Sequence, residues 1–286
     1  MAQTPEIASF WTGSPLSFFE ILCIRSFLDA GYRFHLYTLG DVGRLPDGVI
    51  HHDATEIFDG ELGHSEDVRF NAAVYSDVFR ALLMRKTDFL WVDLDVYCAR
   101  PLDRTGPHMF GVIRRKNSVN NCVLRLPKTS PALQLMLNFY FADVPIPVWW
   151  RPERLNRLFA EIEAGRVPSL SSLPWTTTGP GVLGWALRLT GEIGKGQHWH
   201  TYYQYEKALD QEFLTQGTPV EDYEFPAVRF VHLYGSTKIH LRDMFGGMPP
   251  EGSYIDVICK RHGIDPAAAP IASFSAAAQP QPAEVG

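Results

Sequence analysis

Cysteine is scarce in this chain. Four residues, Cys23, Cys98, Cys122 and Cys259, are scattered through 286 positions with no C-x-x-C pair. That spacing excludes paired-thiolate zinc and redox motifs, and it fits a reducing compartment. Long apolar runs are also missing, since none reaches the roughly 18 residues that a membrane span needs. The opening MAQTPEIASF lacks the basic and apolar regions of a secretion signal. A surplus of positive charge is absent as well. Lys and Arg number 26 against 32 Asp and Glu, for a net charge of −6. This argues against a general nucleic-acid binder. An anionic substrate then needs local help, from a metal or from a few placed Arg and Lys. The expectation is a cytoplasmic protein that touches a membrane at most peripherally, at the inner face.

Apolar residues are plentiful, at 45%, with 13% aromatic. A large core is available to a single α/β domain. Ile7 to Trp11 reads as a strand. Ser14 and Pro15 read as a helix start, Leu16 to Ala30 as a helix and Tyr32 to Thr38 as a second strand. A strand-helix-strand unit implies parallel pairing. A short strand is expected at Val49 to His51. Helical periodicity runs from Asn71 to Lys86, and the strand Phe89 to Asp93 follows at once. Further strands are expected at Met109 to Ile113, Cys122 to Leu126 and Val228 to Leu233. Helices are expected at Pro131 to Ala142, Glu153 to Ala164, and from Gly179 to Leu189. From Asp265 the sequence turns to Ala, Pro, Ser and Gln, the composition of a disordered tail.

The segment FLWVDLDVYCARPLD, from Phe89 to Asp103, carries the most chemistry. An apolar strand ends in Asp93-Leu94-Asp95. Alternation along a continuing strand puts both carboxylates on one side, where they repel unless a cation joins them. Asp77 lies about nine residues before the helix end, roughly 13 Å of helix. Asp93 lies about five residues into the strand, roughly 16 Å. The chain reverses between them, so Asp77 and Arg80 return to the carboxyl end of the strand. That edge is where open α/β sheets bind ligands. Oxygen-rich ligation there suits Mn²⁺ or Mg²⁺. Asp95 is expected as a direct ligand, and Asp93 as a ligand or a ribose contact.

SDVFRALLMRKTDFLWVDLDVYCARPLD resembles the signature of Asp-x-Asp glycosyltransferases, most nearly glycosyltransferase family 32. IASFWTG, NNCVLRLPKTSP, TTGPGVLG and VHLYGSTK are weaker echoes. The chain has Lys86-Thr87-Asp88 where the family has Gly-Gly, and Thr237 where the family has Trp. The resemblance implies a GT-A fold, a Rossmann-like mixed sheet flanked by helices. It implies one domain over residues 1–264, with 1–126 mainly the donor-nucleotide half and 127–264 mainly the acceptor half. The implied activity is transfer of a hexose from a UDP- or GDP-sugar to a glycan or glycolipid, with retention of anomeric configuration and with Mn²⁺ or Mg²⁺ as cofactor. The implied metal set is Asp95, His232 and Asp93. Donor contacts fall to Trp11, Thr12, Asp77, Arg80, Asp93, Asn121, Ser236 and Lys238, and acceptor contacts to Gly179, Pro180 and Gly181. Asp93, Asp95, Asp77 and Arg80 are the implied catalytic set.

Each residue also has a plain reading. His232 suits a core histidine, Lys238 a surface lysine, Trp11 a core position, Asn120 and Asn121 a turn, and Gly179 to Gly181 a helix-opening turn. Trp149 and Trp150, with Arg151, Arg154 and Arg157, suit core packing first and an acceptor rim or lipid surface second. Two other functions stay open. A haloacid-dehalogenase phosphatase also uses Asp-x-Asp after an apolar strand, but that motif opens its fold and needs a later acidic pair on a strand. A catalytically silent sugar-nucleotide-binding module would keep the same ligands.

Overall fold

A computed structural model of the chain describes residues 5–13, 15–60, 68–113, 118–203 and 209–271. The strands are β1 (Ile7–Thr12), β2 (Phe34–Leu39), β3 (Val49–Asp53), β4 (Leu90–Val92), β5 (Val96–Cys98), β6 (Gly111–Ile113), β7 (Ser118–Val119), β8 (Val123–Leu124), β9 (Gln197–His198) and β10 (Phe230–His232). The helices are α1 (Phe18–Asp29), α2 (Val68–Lys86), α3 (Pro131–Tyr140), α4 (Pro152–Glu163), α5 (Val182–Leu189), α6 (Leu209–Glu212), α7 (Val220–Tyr223), α8 (Gly235–Phe245) and α9 (Tyr254–Arg261). The result is a mixed α/β domain, as the alternating periodicities predict.

The first turn of α1 corrects the expected helix start. Ser14 lies outside the described residues, and the N-cap is Ser17. Its backbone N–H donates to the Glu20 carboxylate at 2.9 Å. Ser17 and Glu20 stand three apart, the spacing of a capping box, and this fixes the helix start. Phe18, Phe19, Leu22 and Phe27 then bury almost completely, each contributing about 1.5–3 kcal/mol.

The main sheet runs β3-β2-β1-β4-β8. β1, β2, β3 and β4 are parallel, and β8 is antiparallel to β4. The chain leaves β1 through α1 to β2 and β3 on one side, then returns through α2 to β4 on the other. β1 and β4 therefore flank a topological switch point, the position at which open α/β sheets bind ligands. β1 and β4 pair through Ala8 and Trp91. Beyond that the Ser9 hydroxyl donates to the Val92 carbonyl. β4 stops there, and β1 runs on to Thr12.

β5, unexpected from sequence, pairs antiparallel with β10 in a separate two-stranded sheet. β6 joins β7 and β9 in a third sheet. The expected tail does not begin at Asp265. Pro266–Ala268 forms a 3-10 turn, the Phe18 N–H donates to Ala269 O at 2.6 Å, and Ile271 is buried. Apolar packing of Ile271 outweighs the composition shift there. Residues 272–286 lie outside the described part. Among the described residues no helix is long and apolar enough to cross a membrane.

Candidate active site

Asp93 and Asp95 occupy a turn, which corrects the expectation of a continuing strand. The Asp93 N–H donates to Cys122 O at 2.8 Å, and the Val96 N–H donates to Asp93 O at 3.1 Å. That second bond closes the turn between β4 and β5. The Leu233 N–H donates to Asp95 O at 2.7 Å, which ties β10 to the same turn. Position of the two carboxylates is thus set by turn and cross-strand bonds, not by strand alternation.

Helix α2 brings Asp77 and Arg80 to this edge, the level that counting residues predicts. Arg80 Nη1 stands 3.3 Å from Asp93 Oδ1 and donates to Asn121 O at 2.7 Å. Its guanidinium also lies over the Trp91 ring, 4.8 Å from the centroid. Trp91 Nε1 donates to Asp93 Oδ1 at 2.7 Å. Asp77 is fully engaged. Its Oδ1 accepts from Asn121 Nδ2 at 2.8 Å and lies 3.3 Å from Arg80 Nη2, and its Oδ2 accepts from the Thr178 hydroxyl at 2.8 Å. Burial pushes the Asp77 carboxyl above its ordinary pKa, although Arg80, Thr178 and Asn121 oppose it. Burial likewise raises Asp93 against the pull of Arg80, with Asp95 adding to the rise. For Arg80, burial works against the charge, but Asp93 and Asp77 outweigh it and raise the pKa.

Asp95 and His232 form a different kind of pair. His232, the last residue of β10, places Nε2 3.2 Å from Asp95 Oδ1. Burial would raise the Asp95 carboxyl, yet the adjacent imidazole holds it below its ordinary value. Burial opposes the charged imidazole in turn, but Cys122 and Asp95 raise the His232 pKa. Asp95 Oδ1 and His232 Nδ1 are buried polar atoms without a hydrogen-bond partner among the described residues. Just beyond, Tyr234 holds a φ of +61°, in the region that favours glycine. Such strain collects at functional sites. The Tyr234 ring lies 4.2 Å from that of His232. Gly235 opens α8, and a side chain there would stand 3.9 Å from Asp95 Oδ2.

The other residues expected to contact a donor lie in β1 and α8. Ser236 is in the first turn of α8, and Lys238 follows. Lys238 Nζ pairs with Glu20 Oε1 at 2.5 Å and lies 5.1 Å from the Trp11 ring centroid. It is therefore a paired lysine rather than a free surface one. Trp11 and Thr12 end β1 and are half-buried. Thr12 Oγ1 makes a long bond, 3.4 Å, to Leu39 O. Asn121 is a buried partner of Asp77, whereas Asn120 caps a turn by accepting from the Cys122 N–H at 2.9 Å.

The stretch Thr177–Gly181 is a π-type turn leading into α5. A Cβ on Gly179 would fall 2.8 Å from Asn121 Nδ2 and 2.9 Å from Asp77 Oδ2. Only glycine permits this approach. Gly181 packs near Trp149 Nε1, and Pro180 sits half-buried between the two glycines. Gly179 thus meets the Asp77 network, and the three residues stay together on one side of it. Sequence reasoning missed Thr178, Trp91 and Glu20. The first stands beside the Gly-Pro-Gly, the second two residues from Asp93 on the same strand side, and the third at the capping-box position.

No protein-family model and no curated protein sequence matches the chain. Among the solved structures similar to it are three glycosyltransferases. "PaToxG Glycosyltransferase" is 14% identical with a TM-score of 0.41, over 67% of this chain and 74% of that one. The apo structure of the "WbbM bifunctional glycosytransferase" is 12% identical with a TM-score of 0.34, over 82% of this chain and 46% of that one. The apo-form glycosyltransferase GlyE of Streptococcus pneumoniae TIGR4 is 12% identical with a TM-score of 0.38, over 93% of this chain and 62% of that one. The chain thus spans less than two thirds of the length of the latter two. Similarity of this size carries no conclusion about activity.

Proposed function

We propose that this protein is a metal-dependent glycosyltransferase of the family 32 kind. It moves a hexose from a UDP- or GDP-sugar to a glycan or glycolipid acceptor with retention of configuration. The observation that carries the reading is the pair Asp95 and His232 beyond the end of β4, 3.2 Å apart, where Asp95 Oδ1 and His232 Nδ1 are buried without a well-formed hydrogen bond among the described residues. Buried polar groups are normally satisfied, so such atoms mark a place where a ligand completes the bonding.

Among the described residues, no group of three or more His, Cys, Asp or Glu side chains is arranged to hold a metal ion. Asp95 and His232 supply an oxygen and a nitrogen, with Asp93 the further candidate. By donor type these residues would suit Mn²⁺ or Mg²⁺, which bind through one or two carboxylates and leave other positions to substrate phosphates, although as placed the three side chains do not converge on one ion position. When bound, such an ion stabilises negative charge on the departing diphosphate.

The chain's own residues do the rest. Arg80, held by Asn121 O and Asp93, fixes the acidic turn. Asp77 orients Asn121 and Thr178, and so sets the acceptor-side loop. Trp11 offers a face for the base, and Lys238 beside it would have to leave its ion pair with Glu20 to meet the diphosphate. In the reaction, the bond from sugar carbon to diphosphate oxygen breaks and a bond to the acceptor oxygen forms on the same face. The acceptor proton passes to the leaving phosphate. No protein nucleophile is required. The phosphatase reading fares worse, because Glu221 and Asp222 lie in the short helix α7, not on a strand.

Nucleoside diphosphate release from a panel of UDP- and GDP-hexoses with Mn²⁺ tests the proposal. Release with one donor that disappears in Asp95→Ala supports it. Binding without turnover across a broad acceptor panel defeats the enzyme reading. Magnetic resonance of the product anomer tests retention, and an inverted product would sink it.

A further inference from the structure

Helix α4 buries none of its residues. Leu155, Leu158, Phe159 and Ile162 recur at i, i+3, i+4 and i+7, one continuous apolar stripe. Among the described residues, none of these four joins the buried clusters that form the core; Leu155, Leu158 and Ile162 are half-buried and Phe159 is exposed. A stripe that no described cluster covers is open to a cover from outside the domain.

Its first half shows what kind. Trp149 and Trp150 precede the helix, with Arg151, Arg154 and Arg157 around them. With Glu153 they line a cleft of about 460 Å³. The Arg154 guanidinium lies 3.6 Å from the Trp150 ring centroid. Among the described residues none of the three arginines pairs with a carboxylate, and Glu161 farther along is taken by Arg166. Three arginines thus stand against one carboxylate, Glu153, in this cleft of a protein of net charge −6, with Glu163 at the far end of the helix. Val148 and Phe159 are 56% and 42% exposed beside them. Trp149 and Trp150 are half-buried against the core, the plain reading of the two, and their remaining exposed edges, the apolar stripe bordered by Arg154, and Arg151 and Arg157 nearby match an anionic bilayer surface. A second copy of the chain would set the same arginines near like charges.

We propose that α4 and the Trp149–Trp150 pair dock this protein on a bilayer carrying anionic phospholipid. Trp149 also lies against Gly181, so docking would set the Thr177–Gly181 turn close to the lipid surface. The inference stands whether or not the transferase reading holds.

Cosedimentation of the full chain with vesicles tests it, using phosphatidylcholine alone or with about a third phosphatidylglycerol, an anionic surface of the kind that attracts basic segments. The expected result is binding to the anionic vesicles alone, weakening as salt rises. Each arginine near such a surface contributes about fivefold, so Arg151→Gln, Arg154→Gln and Arg157→Gln together should weaken binding on the order of a hundredfold. Phe159→Asp, chosen because Phe159 is exposed and safe for folding, should abolish it. Equal binding to neutral vesicles, no binding at low salt, or a triple variant that binds like the parent overturns the proposal. So does a dimer seen by sedimentation velocity that Phe159→Asp dissolves without any vesicle binding.

Discussion

Asp77, buried, and Asp95, half-buried, are carboxylates at one sheet edge, held in opposite ways. Both Asp77 oxygens have partners, from Asn121, Thr178 and Arg80. Asp95 faces His232, yet its Oδ1 and the imidazole Nδ1 have no hydrogen-bond partner among the described residues. An unsatisfied buried polar atom costs about 1–3 kcal/mol. A fold accepts that cost where a ligand removes it. The contrast separates a scaffold, which holds shape without a ligand, from a receiving pair, which lacks one.

Substitutions on the two sides should therefore behave differently. The largest effect is expected at Arg80. Arg80→Ala strands Asp77 and Asp93 without their counter-charge and should cost about 3–5 kcal/mol in urea unfolding. A loss below about 1 kcal/mol, the size of an exposed pair, would break the scaffold half of the comparison. Gly179→Ala drives a methyl against Asn121 and Asp77. It should destabilise by about 1–3 kcal/mol, as overpacking does.

A third carboxylate, also buried, sharpens the picture away from the site. Glu192 accepts from His108 Nε2 at 2.8 Å, Ser130 Oγ at 2.9 Å and the Ala132 N–H at 2.7 Å. Burial alone would raise it, but these bonds hold it below its ordinary 4.5. A depressed carboxylate stabilises the fold above its unfolded pKa and loses that contribution as pH falls through the folded value. Stability should thus decline from near pH 4.5 downward. Glu192→Gln should cost about 1.5 kcal/mol at neutral pH and flatten that decline in pH-dependent melting. The smallest effect is expected at Asp95. Asp95→Ala should cost no more than about 1 kcal/mol in the free protein, because His232 can release its proton. A severe loss of stability there would assign Asp95 to the scaffold.

Much of the sheet was legible because its period was clean. β1, α1 and β2 follow from apolar alternation and a Gly31 turn at φ +85°. Counting along α2 and β4 brought Arg80 to Asp93, since rise per residue is fixed in both elements. The acidic turn was less legible. Val96–Cys98 is too short a strand to show a period, and its partner β10 lies far along the chain. The helix start moved from Ser14 to Ser17 because Glu20, three residues on, completes the cap. Thr178 and Glu20 escaped notice for a shared reason. Each acts on a residue far away in sequence, Asp77 and Lys238. α8 and α9 passed unremarked because Gly, His and charged residues interrupt their stripes.

Thermal unfolding with a UDP- or GDP-sugar, with and without Mn²⁺, tests the division most directly. At a ligand concentration 100 times Kd, binding should stabilise the parent protein by about 2.7 kcal/mol, only with metal present. Asp95→Ala should melt like the free parent and show no such gain. Full metal-dependent stabilisation in Asp95→Ala would contradict the account.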